Sequence, residues 1–325
     1  MGYKALILCH TKELLNQFKD YVENNLNMQK GEYGIIAEGK IEIGKFLTIA
    51  LRQTMVRTDL LQFKNEFNVI IIDECHLVSG NSTYVSQYQK ILSNLVAQYR
   101  IGITATAFRA DGLTPCLFAL LNKVKYEIPE KEISDKIIKA KIQPVYTNYT
   151  FSKKCLKYDG TLSYPQLANE LSKDTNRNDL ILKLLKENKN HHCLVLSDRL
   201  EGLEYLYKQL GEGVFINGKM TSKKAKKQRE QAIIDVRSGK EHILFSSFGI
   251  AREGLNIPCL DRLFLIAPTK NIASVIQSVG RIERSEEGKE TPIVYDFVDI
   301  NSQYYEKAWK TRKTIYRKNG NKILE

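Results

Sequence analysis

The sequence contains no apolar run approaching the roughly 18 residues that a membrane-spanning helix needs, so none is expected within it. Its opening stretch, MGYKALILCHTKELL, has five consecutive apolar residues and no small-residue cleavage site after them. A secretory leader is therefore not expected there, and the expected location is the cytoplasm, or the host cytoplasm for a phage-encoded chain. The six cysteines, Cys9, Cys75, Cys116, Cys155, Cys193 and Cys259, form no C-x-x-C pair. That spacing speaks against a disulfide or zinc framework and for reduced thiols. The five histidines add no metal-ligand spacing, and neither low-complexity tracts nor short-period repeats occur.

Positive charge, by contrast, is abundant. Lys and Arg total 49 against 37 Asp and Glu, a net charge of +12 with a pI near 9.2. A polyanionic partner is the natural counterpart of such a balance. Much of the excess lies in KKAKKQR (223–229) and KAWKTRKTIYRKNGNK (307–322). The first reads as a track for phosphates or a solvated helix face. The second interleaves Tyr, Trp and cations, which suits either phosphate contact and base stacking or a helix packed back on its own domain.

Hydrophobic patterning gives the architecture. ALILC (5–9) precedes a segment whose Leu14, Leu15, Phe18, Tyr21 and Val22 fit one helical face. NVIII (68–72), a helical TYVSQYQKILSNLVAQY and RIGITA follow. After residue 140 the alternation restarts with HCLVLS, EHILFSS, RLFLIAP and PIVYDFV, the first three each leading into a helical segment. Runs that are apolar throughout indicate strands buried on both faces of a parallel sheet. The expected fold is therefore α/β, doubly wound, and present twice. A charged, proline-bounded stretch, YEIPEKEISDKIIKAKIQP, suggests a closing helix and linker, and puts the boundary at 135/136.

Within VIIIDECHLVSG (69–80), four apolar residues run directly into Asp73 and Glu74. In an α/β sheet, ligands bind beyond the carboxyl ends of the strands. A strand-end Asp suits Mg²⁺, a hard cation that prefers oxygen, and an adjacent Glu suits orienting or deprotonating water. The pair fits a nucleotide triphosphatase, although Asp-Glu also opens ordinary loops.

IIIDECHL resembles the DECH form of motif II of superfamily 2 helicases, and the other motifs follow in that family's order. ALILCHTKELLNQF resembles motif Ia, with His10-Thr11 where Pro-Thr is usual. LTIALRQTM (47–55), ITATAFRADG (103–112), CLVLSDR (193–199), SSFGIAREGLNIP (246–258) and QSVGRIER (277–284) resemble motifs Ib, III, IV, V and VI. The resemblance covers nearly the whole chain and is nearest the phage-type, UvsW-like and restriction-enzyme-like DNA helicases and translocases.

It implies two RecA-like domains, 1–135 and 136–325, with ATP and Mg²⁺ as cofactors. Asp73 would coordinate Mg²⁺ with Glu74 beside it as a second metal-site carboxylate, Glu74 would activate water, and His76 would couple the site to motif III or VI. Thr104, Ala105 and Thr106 would link nucleotide state to domain movement. Gly254 would let the backbone approach the nucleotide, and Asn256 stands where the family often has an Asp that contacts ribose. Thr11, Gln53 and Ser247 would touch the nucleic-acid backbone. Gln277, Arg281 and Arg284, at i, i+4 and i+7, are expected on one helical face, the arginines reaching phosphates bound at the other domain.

One family element has no counterpart here: no G-x-x-x-x-G-K-[ST] loop, the phosphate cradle of such enzymes, occurs in the sequence. EGKIEIGKF (38–46) ends in Lys45-Phe46, and it follows motif Ia rather than preceding it. The first domain is accordingly expected to be N-terminally incomplete, with the loop supplied by a missing segment or a separate N-terminal polypeptide. The expected activity is that of an ATP-dependent DNA helicase or translocase on single-stranded or branched duplex DNA, with no membrane partner. The alternatives are an ATPase-defective nucleic-acid-binding module and an RNA helicase.

Overall fold

The computed structural model describes residues 2–79, 86–104, 112–129, 132, 136–220, 222–252, 255–267, 269 and 271–324. The chain divides into two compact units, Met1–Glu127 and Ile128–Glu325, where the sequence reading divides it at 135/136. Both are parallel-sheet α/β domains of the RecA-like kind. No helix among the described residues is long and apolar enough to cross a membrane.

Unit 1 contains β1 (Ala5–Cys9), β2 (Tyr33–Ala37), β3 (Lys40–Ile41), β4 (Leu47–Leu51), β5 (Val69–Asp73) and β6 (Tyr99–Ile103), in the sheet order β3-β2-β4-β1-β5-β6. Only the short β3 pairs antiparallel. Alternation along β1 divides the core. Leu6 and Leu8 pack with Ile70, Ile72 and, on α3 (Gln87–Asn94), Tyr88 and Ile91. Ile7 and Cys9 face the opposite way, against Leu15 and Val22 of α1 (Lys12–Asn24). Thr11 starts α1 as an N-cap, its Oγ1 accepting from the Leu14 N–H at 3.2 Å.

The α1 face is not covered along its whole width. The register matches Val69, Ile71 and Asp73 of β5 with Tyr99, Ile101 and Ile103 of β6, so these share a face. Tyr99, Ile101 and Ile103 are 46–53% exposed, and β6 is the last strand of its sheet among the described residues. An exposed apolar edge of this kind is a template for another strand. On the other face Gly102 permits close packing: a Cβ there would lie 2.8 Å from both Cys75 Sγ and Leu121 Cδ1.

Unit 2 contains β7 (Lys141–Thr147), β8 (Cys193–Leu196), β9 (Val214–Ile216), β10 (Ile243–Ser246), β11 (Arg262–Leu265), β12 (Ile293–Asp299) and β13 (Lys322–Ile323). They form one parallel sheet, ordered β13-β7-β12-β11-β8-β10-β9. Helices α4 (Thr114–Leu121) in unit 1, then α5 (Tyr164–Leu171), α6 (Thr175–Glu187), α7 (Leu200–Leu210), α8 (Lys223–Arg237), α9 (Phe248–Arg252), α10 (Ile272–Ile282) and α11 (Gln303–Lys318) complete the main elements used below, with α2 (Arg52–Met55) following β4. Ile181, Leu185, Leu203 and Leu206 of α6 and α7 cover one face of the second sheet, against Val195, Phe245 and Phe264. Val275, Val279 and Trp309 of α10 and α11 cover the other, against Leu196, Leu244 and Leu263.

One reading of the sequence changes, and one open alternative is decided. Lys141–Thr147, whose first four residues read there as the end of a linker, is a strand paired with β12 along all seven residues. Pro144 disguises it, since proline cannot donate to a ladder. The outer neighbour β13 reaches only Lys141 and Ile142, so Pro144 stands where the edge is open. Of the two alternatives left open for the C-terminal aromatic and basic segment, the structure favours packing: Tyr305, Trp309 and Tyr316 are buried on α11. Arg312, between them, donates from Nε and Nη2 to the two oxygens of buried Asp296 at 2.8 and 2.7 Å, and Tyr316 Oη donates to the same carboxylate at 2.7 Å.

Removing one partner of a buried pair leaves an uncompensated charge. Asp296→Ala is therefore expected to cost about 3–5 kcal/mol of stability in urea unfolding. Tyr316→Phe, which removes one hydrogen bond, is expected to cost about 1 kcal/mol.

Candidate active site

Parallel pairing puts the ends of β1, β4, β5 and β6 along one edge of unit 1. Cys9 pairs with Leu51, and Asp73 with Ile103. The residues that follow, His10, Arg52, Glu74 and Thr104, therefore open from the same edge. The chain turns sharply after Asp73: Glu74 has φ +50°, the left-handed region that non-glycine residues seldom occupy. Asp73 Oδ1 steadies the turn by accepting the Glu74 N–H at 2.9 Å. A 3₁₀ turn, Cys75–Leu77, follows and brings His76 back toward β6.

His76 Nδ1 lies 3.1 Å from Thr104 Oγ1 and 3.1 Å from Glu74 Oε2. One imidazole nitrogen thus joins the motif II carboxylate to the first threonine of motif III. Burial raises the Asp73 carboxyl above its ordinary value, opposed by the Glu74 backbone N–H. Burial pushes Cys75 up to about 11 and Cys9 up to about 12, the neighbouring carboxylates adding to the shift, so both stay as thiols near neutral pH. The cysteine of the DECH stretch is packing, not a nucleophile.

The donor set fits a magnesium ion in a limited sense. Mg²⁺ takes one or two protein carboxylates and completes its shell with water and phosphate oxygens. Asp73 and Glu74 supply hard oxygens of that kind. Among the described residues no group of three or more His, Cys, Asp or Glu forms a metal site, so the ion would be held with the nucleotide rather than in a protein cage.

His10 and Arg52 adjoin the carboxylates and escaped the reading of the sequence. Burial, then the Arg52 charge, lowers His10, against Glu74 and Asp73. Arg52 lies over the Tyr88 ring at 5.1 Å. His10 Nδ1, Arg52 Nε and Tyr88 Oη are buried polar atoms without hydrogen-bond partners among the described residues. Gln53, on α2, is exposed.

Unit 2 collects motifs IV to VI near its own strand ends. Ser247 follows β10 and its carbonyl accepts the Ala251 N–H at 3.1 Å as α9 begins. Gln277 and Arg281 sit on α10, whose N-cap Asn271 accepts from the Ser274 N–H at 3.1 Å. Arg284 does not share that helix, contrary to the spacing argument. The helix ends at Ile282 and Arg284 forms an isolated bridge with Ile137. The backbone redirects here because Glu283 turns inward, Oε1 accepting from the Ala140 N–H at 3.0 Å and Asn321 Nδ2 at 2.6 Å.

Both arginines nevertheless converge on the motif V loop. Arg281 Nη1 donates to Leu255 O at 3.1 Å, and Arg284 Nη1 donates to Asn256 Oδ1. Burial lowers the Arg284 guanidinium from its ordinary value, though an arginine remains charged. Two further residues brace this loop without any motif signal: Arg237 Nη2 donates to Asn256 O at 2.6 Å, and Lys289 Nζ donates to Pro258 O at 2.7 Å and Arg284 O at 2.8 Å. Ala105, Thr106 and Gly254 lie outside the described residues.

Two parallel-sheet units, with paired carboxylates at one strand end and two arginines beside a strand-end loop, give the layout of RecA-like α/β domains. The comparisons narrow this. The family model "Type III restriction enzyme, res subunit" matches residues 2–109, and "Helicase conserved C-terminal domain" matches residues 176–286. A protein of Acanthamoeba polyphaga mimivirus, provisionally named an ATP-dependent RNA helicase, is 28% identical over 322 residues, 97% of this chain and 59% of that protein. The DNA 3'-5' translocase XPB2 of Sulfurisphaera tokodaii is 23% identical over 327 residues, 88% of this chain and 70% of that protein. S. cerevisiae Dbp5 bound to RNA and ADP BeF3 shares the fold, with a TM-score of 0.63 at 14% identity over 99% of this chain and 78% of that one. The chain belongs to the superfamily 2 helicases, with a restriction-enzyme-like first domain. It spans 57–59% of the length of its relatives from mimivirus, invertebrate iridescent virus 6 and a Sulfolobus filamentous virus.

Lys289 gives this site a pH signature. Burial lowers its ammonium from 10.5 to about 8 in the folded chain. Between pH 8 and 10.5 the unfolded chain binds more protons, so this group's contribution to stability rises with pH. Below the folded value the penalty is fully present. In urea unfolding, wild type is expected to gain on Lys289→Met across that window. A constant difference would show that Lys289 titrates normally.

Proposed function

We propose that this chain is the motor core of an ATP-dependent DNA helicase or translocase. The observation that carries the reading is the linked cluster of Asp73, Glu74, His76 and Thr104 at one sheet edge. Asp73 would hold Mg²⁺ on the nucleotide, and Glu74 would orient the attacking water. When bound, the ion neutralises charge on the phosphates. His76 reports the state of Glu74 to Thr104 and, through Ala105 and Thr106, to the nucleic-acid path. Arg281 and Arg284 supply positive charge to the transferring phosphoryl group; Asn256, held by Arg284, and Gly254 complete the nucleotide contacts, and Gln277 shares the helix of Arg281. Thr11, Gln53 and Ser247 touch the strand backbone, with Lys224, Lys226 and Lys227 on exposed positions of α8 adding electrostatic attraction.

The open, apolar edge of β6 supports the addition of a strand, loop and helix bearing G-x-x-x-x-G-K-[ST], from the same polypeptide or a separate one. DNA is favoured by the restriction-enzyme-like first domain and the translocase relative. An RNA substrate is the alternative raised by the mimivirus relative and by Dbp5.

The test is ATP hydrolysis by this chain combined with such a segment, with and without DNA or RNA strands. DNA-stimulated hydrolysis is expected, falling by roughly 10³ or more in Arg281→Ala and comparably in Glu74→Gln, with strand binding retained. Ile101→Lys, which charges the β6 face, is expected to abolish complementation while leaving the chain folded. Binding without hydrolysis in the complemented protein would leave a nucleic-acid-binding module instead.

Strand affinity should fall with salt. Replacing Lys224, Lys226 and Lys227 with serine is expected to reduce the log–log salt slope by about 0.7 for each lost contact to a single strand. An unchanged slope would make α8 a merely solvated helix.

A further inference from the structure

The end of motif V, residues 255–260, alternates between core and surface. Leu255, Ile257 and Leu260 are buried in the core of unit 2, and Asn256 is exposed between the first two. Apolar anchors of this kind leave the backbone between them able to shift. Donors from outside the loop fix it. Arg281 Nη1 reaches Leu255 O at 3.1 Å, and Arg284 Nη1 reaches Asn256 Oδ1. Two more come from residues that belong to no motif. Arg237 Nη2, at the end of α8, donates to Asn256 O at 2.6 Å, and Lys289 Nζ donates to Pro258 O at 2.7 Å.

Lys289 also reaches the arginine. The same ammonium donates to Arg284 O at 2.8 Å. It therefore ties the backbone at Arg284 to the backbone of the motif V loop, and the Arg284 guanidinium can exchange Asn256 for another acceptor without moving its base. The flanks of Arg284 are pinned as well: Glu283 O accepts the Ile138 N–H at 2.7 Å, and Ser285 N donates to Lys136 O at 3.1 Å. Bonds from an ammonium are charge-assisted and stronger than those from a neutral amine. The charged and titratable groups facing Lys289 are Asp261, ahead of β11, Cys259 of the loop, Glu286 and Arg284. Burial brings the ammonium down to about 8, Arg284 adding to the shift and the other three opposing it. Above that value both bonds lose their charge assistance.

We infer that Lys289 and Arg237 are positioning residues for ATP hydrolysis: they hold the motif V loop and the base of Arg284 in the register at which the arginine meets the transferring phosphoryl group. The inference rests on the nucleotide reading above, since both residues act through Asn256 and Arg284.

Two measurements test it. The first is backbone hydrogen exchange of residues 255–260 in the full chain, corrected for the intrinsic pH dependence of exchange. Lys289→Met keeps the stem and removes the ammonium. Arg237→Ala removes an exposed guanidinium at a helix end, so this variant is expected to fold even if the first does not. Both are expected to exchange faster in this stretch at neutral pH, and the Lys289→Met difference from wild type is expected to close as pH rises through about 8. The second is ATP hydrolysis by the chain combined with the segment bearing G-x-x-x-x-G-K-[ST]. At neutral pH Lys289→Met is expected to lower kcat roughly 10–100-fold with KM for ATP little changed. Wild type is expected to fall toward that variant through the same pH window, and the losses of the two variants are expected not to multiply in the double variant. Equal exchange in wild type and both variants would overturn the brace. Faster exchange with kcat unchanged, or a kcat loss that is the same at every pH, would overturn the positioning role. A wild type that hydrolyses no ATP would overturn the reading above, and loop exchange alone would then decide the brace.

Discussion

Parallel strand pairing is the constraint on which the rest depends. A parallel ladder aligns the carboxyl ends of its strands, and crossovers through helices return the chain to start each strand from the same side. In unit 1 the ends of β1, β4, β5 and β6 therefore release His10, Arg52, Glu74 and Thr104 along one edge, though they are up to 94 residues apart in sequence. In unit 2 the same rule brings Ser197 and Ser247 together. Chemistry that needs several polar groups can be assembled there because the strands below are rigid and apolar on both faces.

The edge is where local preferences give way. Glu74 occupies a left-handed conformation, Asp73 carries a carboxyl raised by burial, and His10 and Arg52 hold buried polar atoms without hydrogen-bond partners among the described residues. The buried group of Arg312, Asp296 and Tyr316 is, by contrast, matched. The contrast separates a structural ion pair, in which every charge has its partner, from an edge still holding capacity for ligand oxygens.

Much of the fold was legible because buried parallel strands read as unbroken apolar runs, and ALILC, VIII, CLVL and RLFL all became strands. Lys141–Thr147 was missed because Pro144 signals an irregular segment unless the reach of the neighbouring strand is known. The role of Thr11 as a helix cap was accessible locally, from a threonine ahead of an amphipathic run. The sequence offered Arg284 as a candidate and misplaced it on the helix of Arg281. Its position follows from Glu283 bonding to Ala140 and Asn321, 143 and 38 positions away, which no helical spacing anticipates.

By itself, the sequence determined the fold class and the order of the motifs, since these depend on periodicity and short-range spacing. Only the tertiary structure decided which side chains the motif residues meet. His76 bridging Glu74 and Thr104, Lys289 and Arg237 bracing the motif V loop, the buried aromatic face of α11 and the open apolar face of β6 all arise from contacts between distant segments. Such contacts are set by strand order and register, and neither is written in any single stretch of chain.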